Sequence, residues 1–193
     1  MILTKWYLCI GFIFVSNAQS LFRPNLPLGK FRLVVNAIRQ CENSKHLPMQ
    51  VRLYLNKKSS NITEFRGNFT VGVPFDDSLI FDGNAASWSL TGGWKPNSIV
   101  YVTDNACSKA KFIAGNAWYT FQKAFNIQSG NCPVPMGTYG TLTGYDTALL
   151  EDNNFPKVYF YGKYKYVGKV KTKDNKLLGC VAYEVEALRP WEV

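Results

Sequence analysis

The sequence comprises 193 residues with a formal net charge of +9, and aromatic residues make up 15% of it. This length is sufficient for one domain with a sizeable core. Beyond the N-terminal segment, no stretch approaches the roughly 20 consecutive apolar residues that a transmembrane helix needs, so we expect no membrane span there.

The N-terminal segment has the pattern of a secretory signal peptide. Lys5 is the only charged residue before an apolar run from Trp6 to Val15, and the small residues Ser16 and Ala18 follow at the spacing that signal peptidase recognises. We predict a signal peptide at residues 1–18 and a single secreted, extracellular domain at residues 19–193. An uncleaved membrane anchor is the alternative interpretation.

The predicted secretion determines which partners the excess of basic residues could bind. In a cytosolic protein it would suggest nucleic acid, but for a secreted chain we expect no nucleic-acid partner. We expect anionic lipid headgroups, acidic glycans or a negatively charged partner instead. A solvated basic surface with no specific partner explains the charge equally well.

The cysteine count indicates two disulfide bonds. Cleavage removes Cys9 and leaves four cysteines: Cys41, Cys107, Cys132 and Cys180. An even number in an oxidising compartment indicates two bonds, with three connectivities possible. The chain has one histidine and no C-x-x-C pair, so we expect no zinc or other metal site and no cofactor.

Apolar residues recur with a period of two, which is typical of strands. The first such set is Phe31, Leu33, Val35 and Ala37; the next are Met49, Val51, Leu53 and Leu55, then Phe65, Phe69, Val71, Val73 and Phe75. Late in the chain, Val158, Phe160, Tyr164, Tyr166 and Val170 lie opposite a lysine-rich face, and a turn at residues 173–176 leads to a last strand through Cys180, Val181, Tyr183 and Val185. Turn clusters at Asp76-Asp77 and Asp82-Gly83-Asn84 separate the strands. The pattern predicts an all-β sandwich.

One segment departs from this period. Between Lys111 and Phe125 the apolar residues fall at helical spacing, so we predict one short amphipathic helix, weakened by Gly115. Two N-x-S/T sequons begin at Asn61 and Asn68, and both are predicted glycosylation sites. Asn68 belongs to the polar set of its strand, so a glycan there would point to solvent.

The residue types needed for catalysis are scarce. His46 is the only histidine and lies in a polar turn, and the sequence has no G-x-S-x-G elbow. The acidic pairs Asp76-Asp77 and Glu151-Asp152 lie in contexts typical of turns. We therefore expect that the protein is not an enzyme.

The aromatic content exceeds what a core of this size normally needs. Two interpretations remain open on composition alone: the aromatic side chains pack a dry core, or the sheets separate and the aromatic residues line an apolar pocket.

The stretch Cys132-Pro133-Val134-Pro135-Met136-Gly137-Thr138-Tyr139 resembles the C-P-x-P-x-G-x-Y element of insect members of the ML lipid-recognition domain superfamily. An acidic loop at residues 149–156, the alternating basic strand, the closing Gly179-Cys180-Val181 and the Ala106-Cys107-Ser108-Lys109 entry into an aromatic helix are similar to the same branch. That branch contains ganglioside-activator-like and CheB-like chemosensory proteins. The resemblance implies an immunoglobulin-like β-sandwich with a lipid-type cavity between its sheets. It also implies disulfides Cys41–Cys180 and Cys107–Cys132.

These observations lead to an expected function. We expect a monomeric, secreted binding protein for a lipid or another small hydrophobic ligand, with a pheromone, chemosensory or glycolipid-activator role, and a membrane surface or receptor as further partner. The alternative is an extracellular protein-interaction module or co-receptor with a self-filled core. The residues expected to line the cavity are Phe69, Val71, Phe75, Trp88, Trp118, Phe121, Phe125 and Phe160. Lys163, Lys165 and Lys169 are expected on a solvated outer face.

Overall fold

Strands dominate the part of the chain that the computed structural model describes, residues 26–192. The predicted signal peptide at residues 1–18 lies outside these described residues. The strands are β1 (Leu28–Lys30), β2 (Arg32–Gln40), β3 (Met49–Lys57), β4 (Thr63–Val71), β5 (Ile80–Ser89), β6 (Gly93–Thr103), β7 (Gly137–Asp146), β8 (Val158–Phe160), β9 (Gly162–Lys171) and β10 (Leu177–Leu188). The helices are α1 (Ala106–Ala114) and α2 (Asn116–Ala124), and a 3₁₀ helix spans Thr147–Glu151.

The main strands form two antiparallel layers that meet at one point. One layer has the order β6-β5-β9-β10-β2 and the other the order β3-β4-β7. β10 pairs with β9 and β2 over most of its length, but it pairs with β3 only through Gly179 and Met49. The two layers are therefore joined edge to edge at this pair. β1 and β8 form a separate two-stranded sheet.

Both layers contribute to one hydrophobic core. Leu53 of β3 and Phe65 of β4 pack in the same cluster as Val35 of β2 and Val185 of β10. Phe125, immediately after α2, belongs to that cluster and has no exposed surface. Burial of each such side chain contributes about 1.5–3 kcal/mol. The predicted all-β sandwich is confirmed.

The predicted helix is interrupted at Gly115. This residue has φ +57° and ψ −130°, a conformation that side chains disfavour, and it separates α1 from α2. The loop after the 3₁₀ helix fills the break, because Ala117 N donates to Asp152 O (2.9 Å) and Asn154 N donates to Ile113 O (3.0 Å). The helical segment therefore lies where the spacing predicted it, but as two short helices.

The late basic strand is also divided. The sequence pattern placed Val158 and Phe160 on one face with Tyr164 and Tyr166, whereas the structure has two strands that pair with different neighbours. Gly162, with φ +139°, begins the second of them. Because β8 pairs with β1 outside the sandwich, Val158 and Phe160 are exposed. The prediction of one shared face was wrong.

One predicted turn lies within a strand. Asp82-Gly83-Asn84 is part of β5, whereas Asp76-Asp77 and residues 173–176 do form turns. Asp82 is stabilised in the sheet by Lys171 of β9, whose Nζ lies 2.6 Å from its Oδ2. Gly83 leaves room for the Tyr166 hydroxyl, which a Cβ at this position would overlap. Residues typical of turns are thus used here for an ion pair and for close packing.

The two disulfides have the connectivity that the resemblance implied. Cys41 after β2 is bonded to Cys180 in β10, and Cys107 in α1 is bonded to Cys132 before β7. The first bond holds the start of β10 to the end of β2, and the second holds the helical segment against the second layer. Two such bonds indicate an oxidising environment.

Candidate functional site

The space between the layers is not completely filled by side chains. A cavity of about 690 Å³ lies between the inner face of the first layer, the helices and the loop after the 3₁₀ helix. This volume is within the range of ordinary small-molecule sites, about 300–1,000 Å³. Its lining residues are Leu33, Val35, Ile38, Phe65, Phe81, Ile99, Tyr101, Ala110, Ile113, Ala114, Ala117, Leu150, Asn153, Asn154, Phe155, Pro156, Tyr159, Tyr166, Tyr183 and Val185. We call it the large cavity.

Alternation along the strands makes the large cavity apolar. Leu33 and Val35 stand two residues apart on β2, and Tyr183 and Val185 do the same on the neighbouring β10, so both pairs point to the same side of the layer. The rings of Tyr166 and Tyr183 stack with their centroids 4.9 Å apart. Burial raises the pKa of both hydroxyls. They remain neutral at physiological pH, and the wall they form carries no charge.

The loop after the 3₁₀ helix forms the rim of the large cavity. Asn154 donates from Nδ2 to Phe112 O (2.7 Å), and Asn153 Oδ1 accepts from Phe155 N (2.8 Å). Phe155 lines the cavity and is also exposed to solvent. The cavity therefore reaches the surface beside this loop, whose position depends on the helix break at Gly115.

A second, smaller cavity has a volume of about 240 Å³ and lies between β3, β4 and α2 on one side and β9 and β10 on the other. We call it the small cavity. An aromatic cluster forms part of its wall: Phe69 of β4 lies 5.7 Å, ring centroid to ring centroid, from Phe121 of α2. Trp118, also on α2, lines it and donates from Nε1 to Gly130 O (3.3 Å).

The two cavities follow one another along the same strands. Gly168 of β9 and Val181 of β10 line the small cavity, whereas Tyr166 and Tyr183, two residues along each strand, line the large one. Phe81 of β5 lines both. Its ring therefore stands where the two spaces adjoin.

The residues expected from the sequence to line a cavity fall into three groups. Five of them line the small cavity: Phe69, Val71, Phe75, Trp118 and Phe121. Phe125 lies behind these in the fully buried core, stacked 4.4 Å from Phe121.

Trp88 and Phe160 lie apart from both cavities. Trp88 packs edge-on against Trp94 in the β5–β6 hairpin and is 46% exposed, and Phe160 is 55% exposed in β8. For these two residues the expected place in the wall was wrong. Both residues are apolar, but this property alone did not indicate which face of the sheet, or which sheet, the side chain would join.

The resemblance implied a cavity between the sheets, but the residues that line the large cavity were missed by sequence reasoning. Leu33, Val35, Tyr183 and Val185 all belonged to predicted alternating strands, so their inward direction could be predicted. The signal that would have added them is the alternation itself, extended to both terminal strands. The empty volume in front of them depends on how far apart the layers stand, which no local pattern encodes.

The lysines of β9 lie away from both cavities. Lys165 Nζ is 3.7 Å from Glu184 Oε1 and 4.4 Å from the centre of the Trp94 ring. Lys163 and Lys169 lie on the same face of β9 as Lys165, because they alternate along the strand with Tyr164 and Tyr166, which point inward. Among the described residues that line either cavity, none is charged.

The sequons, the histidine and the acidic pairs occupy surface positions. Asn61 is exposed between β3 and β4, and Asn68 lies on the face of β4 opposite Phe69. His46 is exposed in the loop before β3. Within residues 26–192, no group of three or more His, Cys, Asp or Glu side chains is arranged to hold a metal ion. No helix in this described part of the chain is long and apolar enough to cross a membrane.

No protein-family model matches the chain, and no curated protein matches it at a significant level. The cavities, the disulfides and the chemistry of their surroundings are therefore the guide to what the chain does.

Proposed function

We propose that the protein is a secreted carrier for a lipid or another small hydrophobic molecule, and that it belongs to the ML lipid-recognition superfamily. The observation that carries this proposal is the large cavity, about 690 Å³ of space between the first layer, the helices and the loop after the 3₁₀ helix, with an almost wholly apolar lining. The disulfide pairing Cys41–Cys180 and Cys107–Cys132 supports the family assignment, because the resemblance implied it in advance.

Transfer of an acyl chain into this space supplies the binding energy. Each buried methylene contributes about 0.8 kcal/mol, so six to eight methylenes contribute on the order of 5 kcal/mol before the cost of association. The uncharged wall favours the chain of the ligand over its headgroup. The exposed rim at Phe155 offers the place where a headgroup would remain in water.

Secretion is part of the same proposal. The N-terminal pattern, the two sequons and the two disulfides agree with an extracellular protein. A carrier in that compartment keeps its ligand out of water while the ligand moves between surfaces.

A non-catalytic role is also proposed. The acidic groups with lowered pKa values maintain structure: Asp77 accepts hydrogen bonds from the backbone and hydroxyl of Ser108 at the start of α1, and these bonds lower its pKa. In the large cavity, burial raises the pKa of Tyr166 and Tyr183, which makes them weaker acids and poor proton donors.

The proposal is tested by blocking the large cavity from its helical wall. Ala110 of α1 lines the cavity, and Ala110→Trp would place an indole inside it. Lys109→Trp is the matched control, since Lys109 is exposed on the same helix and does not line the cavity. The protein is secreted from eukaryotic cells, delipidated, and titrated with an apolar fluorescent probe; native mass spectrometry before delipidation identifies bound lipid.

We expect wild type and Lys109→Trp to bind the probe with similar affinity and Ala110→Trp to bind at least tenfold more weakly. Equal binding by Ala110→Trp would show that the ligand lies elsewhere. Absence of both co-purified lipid and probe binding in the wild type would reject the carrier proposal and favour the protein-interaction module.

A further inference from the structure

The turn of the β5–β6 hairpin projects beyond the rest of its sheet. β5 pairs with β9 only as far as Ser87, which lies opposite Tyr164, whereas its pairing with β6 continues to Ser89 and Gly93. Leu90 lies in the turn between the two strands and has 97% of its surface exposed. A leucine in this position contributes nothing to the packing of the sandwich.

Two tryptophans stand next to this turn. Trp88 of β5 and Trp94 of β6 lie opposite each other, with their rings edge-on and the centroids 5.2 Å apart. Trp88 is 46% exposed, and neither ring lines a cavity. Tryptophan is enriched where lipid chains meet the headgroups, because its ring is large and apolar while its N–H is polar.

The charges around the turn are positive. Residues 83–103 contain no Asp or Glu, and Lys95 is their only basic residue. Lys95 is exposed, and its Cε lies 3.9 Å from where a Cβ on Gly92 would be, so its side chain reaches the turn. On the neighbouring β9, Lys165 Nζ lies 4.4 Å from the centre of the Trp94 ring. Cations therefore border the apolar turn.

The carboxylates of β10 on this side of the sheet do not cancel that charge. Glu184 is held by Arg39 (3.1 Å) as well as by Lys165 (3.7 Å), and Glu186 lies opposite Lys163 in the strand register. Lys95 has no carboxylate partner among the described residues. An excess of positive charge remains beside the turn.

We propose that the tip of the β5–β6 hairpin docks the protein onto an anionic lipid surface. We define this hairpin tip by Trp88, Leu90, Trp94 and Lys95. Leu90 enters the hydrocarbon, the two tryptophans lie at the level of the headgroups, and Lys95 and Lys165 meet their negative charges. Polarity ordered by depth in this way fits a membrane, which is apolar inside and anionic at its surface.

The predicted glycans leave the hairpin tip accessible. Asn61 is exposed between β3 and β4, and Asn68 lies on the outer face of β4. Both belong to the second layer, whereas the hairpin tip belongs to the first. Docking goes beyond the carrier proposal, because none of the residues that define the hairpin tip lines either cavity.

The test measures co-sedimentation of the secreted, delipidated protein with vesicles. One set of vesicles is phosphatidylcholine alone, and the other contains about 30% phosphatidylserine as the anionic lipid. Leu90→Ser removes the apolar apex, and Leu142→Ser is its matched control, because Leu142 is 89% exposed on β7 of the other layer. Lys95→Glu reverses the charge beside the turn, and Lys57→Glu, at an exposed position of β3, is its control.

We expect wild type to bind the anionic vesicles about tenfold more tightly than neutral ones, with a preference that declines at high salt. Leu90→Ser should weaken binding to both kinds of vesicle by about tenfold, because the leucine no longer enters the hydrocarbon. Lys95→Glu should weaken binding to the anionic vesicles by about tenfold and leave binding to neutral ones almost unchanged. The two control variants should bind as wild type does.

Affinity for an apolar fluorescent probe without vesicles should be the same in all variants, since none of the four positions lines a cavity. If wild type does not bind vesicles, or if Leu142→Ser loses as much binding as Leu90→Ser, the docking proposal is overturned and the hairpin tip is assigned to a protein partner; probe binding then still supports the carrier. Unchanged binding of Lys95→Glu to anionic vesicles would overturn the preference for negative charge. If vesicle binding depends on Leu90 and Lys95 but the probe does not bind, the carrier proposal fails and docking stands.

Discussion

Glu64 lies on the outer face of β4 with only 4% of its surface exposed, and two cations hold its carboxylate. Lys58 Nζ is 3.1 Å from Oε1, and an Arg66 guanidinium nitrogen is 3.1 Å from Oε2. The hydrogen bond from Lys58, followed by that from Arg66, lowers the pKa of Glu64, although burial opposes the shift. Gly144 of the opposite strand leaves room for the carboxylate, since a Cβ there would lie 2.6 Å from Oε2.

This cluster makes stability depend on pH in a defined direction. Because the folded-state pKa of Glu64 lies below its ordinary value of 4.5, its contribution is complete above that value and is lost as pH falls through the folded pKa. Glu64→Gln should therefore be less stable than wild type at neutral pH, with a difference that shrinks in acid. Urea denaturation at neutral and at acidic pH measures this difference in the free energy of unfolding. Glu42→Gln, at an exposed position, is the control; a pH-independent difference for Glu64→Gln would contradict the assignment.

The burial of Glu64 could not be predicted from the sequence. Alternation assigns it correctly to the polar face of its strand, opposite Phe65 and Phe69. Its enclosure depends on Gly144, which is 80 residues away along the chain and adopts φ +84°. Contacts of this range follow from strand register and not from any local pattern.

At the scale of elements, the junction of the two helices controls the rim of the large cavity. Gly115 has φ +57°, and a Cβ there would lie 3.1 Å from the Asn153 backbone. The helical spacing of Trp118 and Phe121 correctly predicted helical structure, but the position of the break depends on a loop almost forty residues later in the sequence.

Gly115→Ala should destabilise the protein by about 1–3 kcal/mol, because a side chain is strained in this backbone conformation and meets the loop. Gly130→Ala is the control: its φ is +61°, but no atom lies within 4 Å of the added Cβ. That variant should lose only the conformational part, about 1–2 kcal/mol. The free energies of unfolding of the two variants, together with their affinities for the apolar probe, distinguish backbone strain from contact with the loop. If both variants lose the same free energy of unfolding and bind the probe as wild type does, the contact with Asn153 does not position the rim.

At the scale of the whole molecule, the disulfides constrain very different lengths of chain. Cys41 and Cys180 are 139 residues apart, and Cys107 and Cys132 are 25 apart. Loop-closure entropy gives a stabilisation of about 5 kcal/mol for the first bond and about 3.5 kcal/mol for the second. The longer bond also lies where the two layers meet, close to the pair Gly179 and Met49.

Replacing both Cys41 and Cys180 with serine should therefore lower the free energy of unfolding more than replacing both Cys107 and Cys132. Cys41→Ser and Cys180→Ser should each lower secretion and stability to the same extent, and the double variant should be no worse than either single one. Secreted yield and chemical denaturation measure these effects. Clearly unequal single variants would mean that one of the two cysteines has another role.

The sequence predicts which way side chains point along a strand better than it predicts the volumes of the cavities between the elements. It predicted the sandwich, the two covalent bonds through a resemblance, and five of the residues that line the small cavity. A cavity was expected only through the resemblance, and its lining residues Leu33, Val35 and Tyr183 were not predicted, because they carry the same alternation whether the layers pack tightly or stand apart. The separation of the layers is set jointly by all side chains between them, including Phe65, Phe81 and the two helices.

Phe81 gives a direct test of whether the two cavities act as one site. Its ring lines both, so a larger ring would obstruct the passage and a smaller side chain would widen it. In wild type, affinity for 1-alkanols should rise about fourfold with each added methylene until the chain fills the large cavity. In Phe81→Trp the increase should stop at a shorter chain, whereas Phe81→Leu should follow the wild-type series and also admit branched chains.

Short alkanols provide the internal control, because a chain that ends before Phe81 should bind wild type and Phe81→Trp alike. Melting temperatures distinguish obstruction from overpacking, which typically costs about 1–3 kcal/mol. If affinity falls by the same factor at every chain length in Phe81→Trp, the ring does not separate the cavities. A loss confined to long chains places the ligand across both cavities, with its tail beside Tyr166 and Tyr183.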